Sequence, residues 1–140
     1  MKILFVCHGN VNRSAAAEII AKVEYPDWEV KSCGLKTKDG KITAKKMRDV
    51  LTDSGYKTEG IRSTVITKEL VDWADKIFYM DDANEKRFKE QFGEMSKAQK
   101  LSNMVAGVKK IPDPAFAEGT DMHHEVVKLI KLALTKWTTV

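Results

Sequence analysis

Only two cysteines, Cys7 and Cys33, occur in the 140 residues, so a disulfide scaffold is not indicated and a reducing cytoplasm suits the chain. No apolar run approaches the roughly 18 residues needed to span a membrane, and the short apolar start, with one lysine, is not expected to be a signal peptide. HExxH and CxxC are absent. The pair His123-His124 and the following Glu125 fall on a predicted helix, where adjacent side chains point apart; both histidines are expected at the surface or satisfied, and neither a metal nor a cofactor is expected. Aromatics make up only 8%. The lysines of 36–48, 86–89 and 97–110 are interleaved with acids and lack stacking aromatics. They read as solvated faces rather than a nucleic-acid surface, despite a net charge of +4. No repeat, low-complexity tract or linker breaks the chain, so one domain over residues 1–140, working as a monomer, is expected.

What is present is concentrated near the start. Ile3-Leu4-Phe5-Val6 reads as a buried strand, and Ala15 to Lys22 as a helix. Between them lies Cys7-His8-Gly9-Asn10-Val11-Asn12-Arg13-Ser14. A strand feeding a tight loop and then a helix gathers backbone N–H groups and the positive end of a helix around one point, which makes an anion site. A cysteine at the mouth of such a loop gains nucleophilicity. A free thiol ionises near pH 8.5, but at a helix N-terminus its pKa can drop to about 3.5–7.5. Arg13, with five residues between it and Cys7, carries a planar fork that matches two phosphate oxygens. Ser14 can donate its hydroxyl to a thiolate. Gly9 is expected to give the loop freedom at positive φ, and Asn10 to tolerate a left-handed φ and pin the loop with its amide. His8, Val11 and Asn12 complete the loop, with His8 at the pocket mouth or facing solvent. The combination points to phosphate chemistry through a thiolate.

The remaining elements follow from periodicity and punctuation. Strands are predicted over 2–6, 28–33, 76–80 and 108–111. Helices are predicted over 13–24, from a Thr43 cap to Ser54, from a Thr67 cap through Ala74, over 82–92 with Asp82 and Glu85 as a capping box, and over 96–105 with Ser96 and Gln99 as another. A long amphipathic helix runs from about Gly119. Alternating strands and helices imply a parallel sheet with helices on both faces, a three-layer α/β/α sandwich with ligands at the strands' C-terminal edge. The Cys7 loop and Asp113 both fall on that edge. Asp113, between Pro112 and Pro114 on a stiffened loop, is the best candidate for the acid that protonates a leaving oxygen and then, as base, activates water. Asp81, Asp82 and Glu118 are the reserves.

Val6 to Ser14, Ser32-Cys33-Gly34, the run from Thr67 through Asp75, Tyr79-Met80-Asp81 and Asn84, and Ile111-Pro112-Asp113-Pro114 resemble the low-molecular-weight protein tyrosine phosphatases. The resemblance covers essentially the whole chain. It implies a four-stranded parallel sheet of order 2-1-3-4, with Cys7 as nucleophile, Arg13 as phosphate clamp, Ser14 as thiolate stabiliser, Asn10 as loop brace and Asp113 as general acid. It also implies a phosphocysteine intermediate and phosphate or vanadate as ligands. Three positions depart from the pattern. Asn12 stands where many members carry a second loop cysteine, and Ala115-Phe116 where many carry tyrosines. Gly60-Ile61-Arg62-Ser63 lacks a histidine often found there. Thiol-dependent arsenate reductases share this fold but need relay cysteines, and residues 81–95 contain none. A small phosphomonoester in place of a phosphotyrosine protein is the alternative substrate class.

Overall fold

The computed structural model describes residues 1–139. Four parallel strands form one sheet: β1 (Lys2–Cys7), β2 (Glu29–Gly34), β3 (Lys76–Tyr79) and β4 (Ala98–Lys100), in the order β2-β1-β3-β4. Cys7 is thus the last residue of β1, paired with Gly34. The helices are α1 (Arg13–Glu24), α2 (Lys45–Asp53), α3 (Lys68–Trp73), α4 (Asp82–Phe92) and α5 (Asp121–Thr138). None is long and apolar enough to cross a membrane among the described residues.

Alternation along the strands divides the core in two. Ile3, Phe5, Phe78 and Met80 pack under α1, α2 and α5, while Leu4, Val6, Ile77 and Tyr79 pack against α3 and α4. The Ala15-Ala16-Ala17 run explains why α1 lies so close to the sheet: small side chains with high helix propensity let its backbone approach, and Arg13 to Ala21 are all buried. All three helices of the first layer begin at the C-terminal edge of the sheet. Ala44 donates its N–H to the Val11 carbonyl, and α5 follows directly from the loop carrying Asp113.

The order 2-1-3-4 is as expected, but the fourth strand is a different segment. Ala98–Lys100 pairs with β3 and is followed by a 3-10 turn over Leu101–Met104; there is no helix over 96–105 and no strand over 108–111. The short, polar Ala98-Gln99-Lys100 edge has no apolar alternation to betray it. Residues 108–111 nevertheless return to the sheet edge: Ile111 is fully buried and donates its N–H to the Met80 carbonyl at 2.8 Å. Two helix starts also differ. Asp81, not Asp82, caps α4, accepting from the Asn84 N–H. Thr43 makes no cap bond, since α2 begins at Lys45 behind Ala44. His123 is neither at the surface nor satisfied: it is buried with Nδ1 unpartnered, and burial together with the charges of Lys46 and His124 holds its imidazole below the usual range.

Candidate active site

The loop from Cys7 to Arg13 forms one wall of a cavity of about 190 Å³, and Asp113, Ala115 and Phe116 form the other. Residues 7 and 113, far apart in sequence, therefore meet where expected. All nine site residues expected from the sequence belong to this region, although Ser14 lies beneath the cavity rather than on its wall. Gly9 does not carry the positive φ. Asn10 does, at 58°, the one non-glycine among the described residues to do so. Its left-handed backbone turns the amide N–H inward, to 3.3 Å from Cys7 Sγ.

The Asn10 side chain explains how that turn is held. Oδ1 accepts from the Thr64 N–H at 2.8 Å, which fixes the amide's orientation. Nδ2 donates to Ser14 Oγ at 2.8 Å and to Ser32 Oγ at 2.9 Å, using both of its protons. Ser32 in turn donates to Glu18 Oε1 at 2.5 Å. Ser14 Oγ, receiving from Asn10, lies 2.9 Å from Cys7 Sγ and 3.4 Å from the Cys33 carbonyl, and a thiolate at Cys7, which can only accept, draws the hydroxyl proton to the sulfur. With Cys7 as a thiolate, the hydrogen directions run from Asn10 outward: through Ser32 to a carboxylate, and through Ser14 to the sulfur. A thiolate at Cys7 accepts from the Ser14 hydroxyl and the Asn10 N–H.

Gly34 is required for this arrangement. A Cβ there would lie 2.7 Å from Thr37 Cγ2 and 2.9 Å from the His8 carbonyl oxygen, against which the loop is laid. The Lys36 N–H binds that same carbonyl at 3.0 Å. Cys33, one residue earlier, packs with Leu4 and Val6 in the cluster opposite the one holding Cys7. Burial pushes its thiol well up, aided by Cys7 and Glu18. Both cysteines are free.

Arg13 is almost wholly buried, its side chain 4% exposed. Nη1 donates to Asp81 Oδ2 at 2.6 Å and to the Ile111 carbonyl at 3.1 Å, while Nη2 lies 3.7 Å from Asp113 Oδ2. Burial alone would raise the Asp81 carboxyl, but the Arg13 hydrogen bond, the Asn84 N–H and the charges of Arg13 and Lys110 outweigh it and hold the group below its usual range. Asp81 is the residue the motif reading underrated. Its signal was position, since it follows β3 on the same sheet edge as Cys7. Asp113 is half exposed, its Oδ1 accepting the Ala115 N–H at 3.1 Å. Phe116 is fully exposed at the cavity rim. No cluster of three or more metal-ligating side chains occurs among the described residues.

With that geometry in place, comparison with known proteins is decisive. The profile of the low molecular weight phosphotyrosine protein phosphatases matches residues 2–140. The chain belongs to this family. It is 34% identical over 116 residues to a protein-arginine-phosphatase of Geobacillus stearothermophilus, covering 81% of this chain and 78% of that one. It is 27% identical over 139 residues to the low molecular weight protein-tyrosine-phosphatase PtpB of Staphylococcus haemolyticus, covering 99% of each. Among solved structures, a low molecular weight protein tyrosine phosphatase from T. tengcongensis superposes with a TM-score of 0.91 at 23% identity, covering 99% of this chain and 98% of that one, which speaks for the fold. The family places the chain among the cysteine-dependent phosphatases.

Proposed function

We propose that this phosphatase hydrolyses phosphorylated side chains of proteins, with phosphotyrosine as substrate, through a phosphocysteine at Cys7. The observation that carries the reading is the convergence on one small cavity of a sulfur with two hydrogen-bond donors, a buried guanidinium and a carboxyl group. A phosphoryl dianion seated on the loop N–H groups and Arg13 presents its phosphorus to Cys7 Sγ. The S–P bond forms as the P–O bond to the leaving group breaks, and Asp113 gives its proton to the departing oxygen. A dianion beside a carboxyl group favours the protonated acid needed for this step. Water then attacks the phosphorus, Asp113 takes its proton, and the sulfur leaves as a thiolate held by Ser14 and Asn10. The cavity is smaller than the roughly 300–1,000 Å³ typical of small-molecule sites, so it takes the phosphoryl group and the first atoms beyond it. The rest of an aryl substrate lies along Phe116, whose exposed ring offers a stacking face.

A second reading, phosphoarginine, draws on the arginine-phosphatase relative, since a guanidinium also stacks on an aromatic ring. A small phosphomonoester remains the other alternative. The protein is read as a cytoplasmic monomer whose single domain is residues 1–140, needing neither metal nor other cofactor. Aryl phosphate hydrolysis in EDTA, inhibited by vanadate and lost in Cys7→Ser, tests the reaction; turnover surviving in that variant overturns it. Matched phosphotyrosine and phosphoarginine peptides, with a free sugar phosphate, assign the substrate by kcat/KM: preference for phosphotyrosine is expected, and preference for either of the others overturns that assignment.

A further inference from the structure

Behind the phosphate loop, on the far side of Ser32 from Cys7, lies a second and larger cleft of about 420 Å³. Its floor is made of Glu18 and Ser32, both buried, and of Thr64, whose N–H holds Asn10 Oδ1. Its walls carry Lys22, Lys31 and Arg62. Glu18 answers only one of these charges: Oε2 accepts from Lys22 Nζ at 2.5 Å, and Oε1 is taken by Ser32. Lys31 lies over the Trp73 ring at 4.4 Å, and Arg62 donates to the adjacent Ile61 carbonyl; among the described residues neither meets a carboxylate. The cleft therefore presents two uncompensated cations beside the apolar side chains of Ile61 and Leu70.

We infer that this cleft is a second ligand site, for a small phosphorylated organic molecule, and that its occupancy is felt at Cys7. The volume falls within the range of small-molecule sites, about 300–1,000 Å³. Two unpaired cations suit a dianion, with Arg62 offering a planar fork and Lys31 a point charge. Ile61 and Leu70 suit the organic part. The coupling has a defined route. An anion drawing Lys22 away from Glu18 strengthens that carboxylate's hold on Ser32. Ser32 and Thr64 together set the Asn10 amide, and Asn10 sets both the Ser14 hydroxyl and the N–H that face the sulfur. The coupling rests on Cys7 being the nucleophile, whereas binding in the cleft does not.

The test uses full-length protein with vanadate filling the active site, titrated with phenylphosphonate while backbone amide resonances are recorded. Saturable shifts at Lys31, Ser32, Thr64 and the 60–62 loop are expected. The double variant Lys31→Ala/Arg62→Ala should weaken binding by about tenfold or more while leaving basal aryl-phosphate kcat/KM unchanged. At saturating substrate, phenylphosphonate should alter kcat by about fivefold in the wild type and not in the double variant. Absence of saturable shifts in the cleft, or equal affinity in the double variant, overturns the site. Binding with no change in kcat overturns the coupling. Failure of vanadate to load faults the active-site reading instead, and leaves the cleft titration readable at Lys31 and Arg62, whose amides do not bond the phosphate loop.

Discussion

Replacing Asp81 by Asn changes one charge and almost no volume, and so isolates what holds the phosphate clamp in place. Arg13 is 4% exposed and its strongest contact is the 2.6 Å bond to Asp81. Removing one partner of a buried ion pair costs about 3–5 kcal/mol. Asp81 is itself 20% exposed, and Arg13 keeps the Ile111 carbonyl, so the cost falls below that range, at about 2–3 kcal/mol. For a chain of this length the melting temperature should fall by about 6–10 °C. With Asp81 gone as a charge, Asp113 is the one carboxylate left beside Arg13 among the described residues, and it pulls the guanidinium toward the cavity mouth. kcat/KM should therefore fall by about tenfold to a hundredfold. The pH dependence has a definite sign. The Asp81 carboxyl sits below its usual range when folded, so its contribution is complete above the unfolded value of about 3.9 and is lost as pH falls through the folded one. The stability gap between wild type and Asp81→Asn should be full at pH 7 and close below about pH 4. Thermal melts at several pH values, with aryl-phosphate kinetics at pH 7, provide the assay. A variant matching wild type in both melting temperature and kcat/KM at pH 7 would refute the assigned role.

Asp113→Asn should lose about 10²–10⁴-fold in rate on phosphotyrosine and less on nitrophenyl phosphate, whose oxygen leaves unprotonated; equal losses on the two, or none, would remove Asp113 from proton transfer. Ser14→Ala deletes a hydrogen bond to a charged sulfur, a loss of about 1.5–3 kcal/mol. It should slow breakdown of the phosphocysteine by roughly tenfold to a hundredfold, so stopped-flow traces should show a larger burst before a slower steady state; an unchanged steady state would contradict donation to the thiolate. Gly34→Ala pushes a methyl group into the His8 carbonyl and Thr37, and should destabilise by about 1–3 kcal/mol by calorimetry while weakening vanadate binding. Unchanged vanadate affinity would mean that the loop does not depend on that close approach.

The parts of the fold that could be read from sequence are those whose pattern has a single physical solution. The apolar run 3–6 and the alanine-rich helix 13–24 bracket the loop, and α1 occupies Arg13–Glu24 as expected. The sheet edge then brings Asp113 to Cys7, although for a different reason than the one anticipated. Asp113 follows not a strand but a return segment anchored by Ile111 on Met80. The fourth strand was hidden because an edge strand of Ala98-Gln99-Lys100 is defined by hydrogen bonding to β3 rather than by burial of alternate side chains. Gly9 and Asn10 were both legible as residues able to take a left-handed φ; the turn falls on Asn10, whose side chain makes three hydrogen bonds that offset the strain. The partnership of Asp81 with Arg13 spans 68 residues, and that of Glu18 with Ser32 joins a helix to a strand. No local spacing encodes either contact.

The central claim is that phosphoryl transfer passes through the sulfur of Cys7, and trapping that species is its most direct measurement. Wild-type protein mixed rapidly with aryl phosphate, quenched during the first turnover and mapped by mass spectrometry, should carry a phosphoryl group on Cys7 and on no other residue. The adduct should form with the released phenol and decay to inorganic phosphate at the steady-state rate. A phosphoryl group on another residue, or phenol and phosphate released together with no adduct at any quench time, would contradict the account.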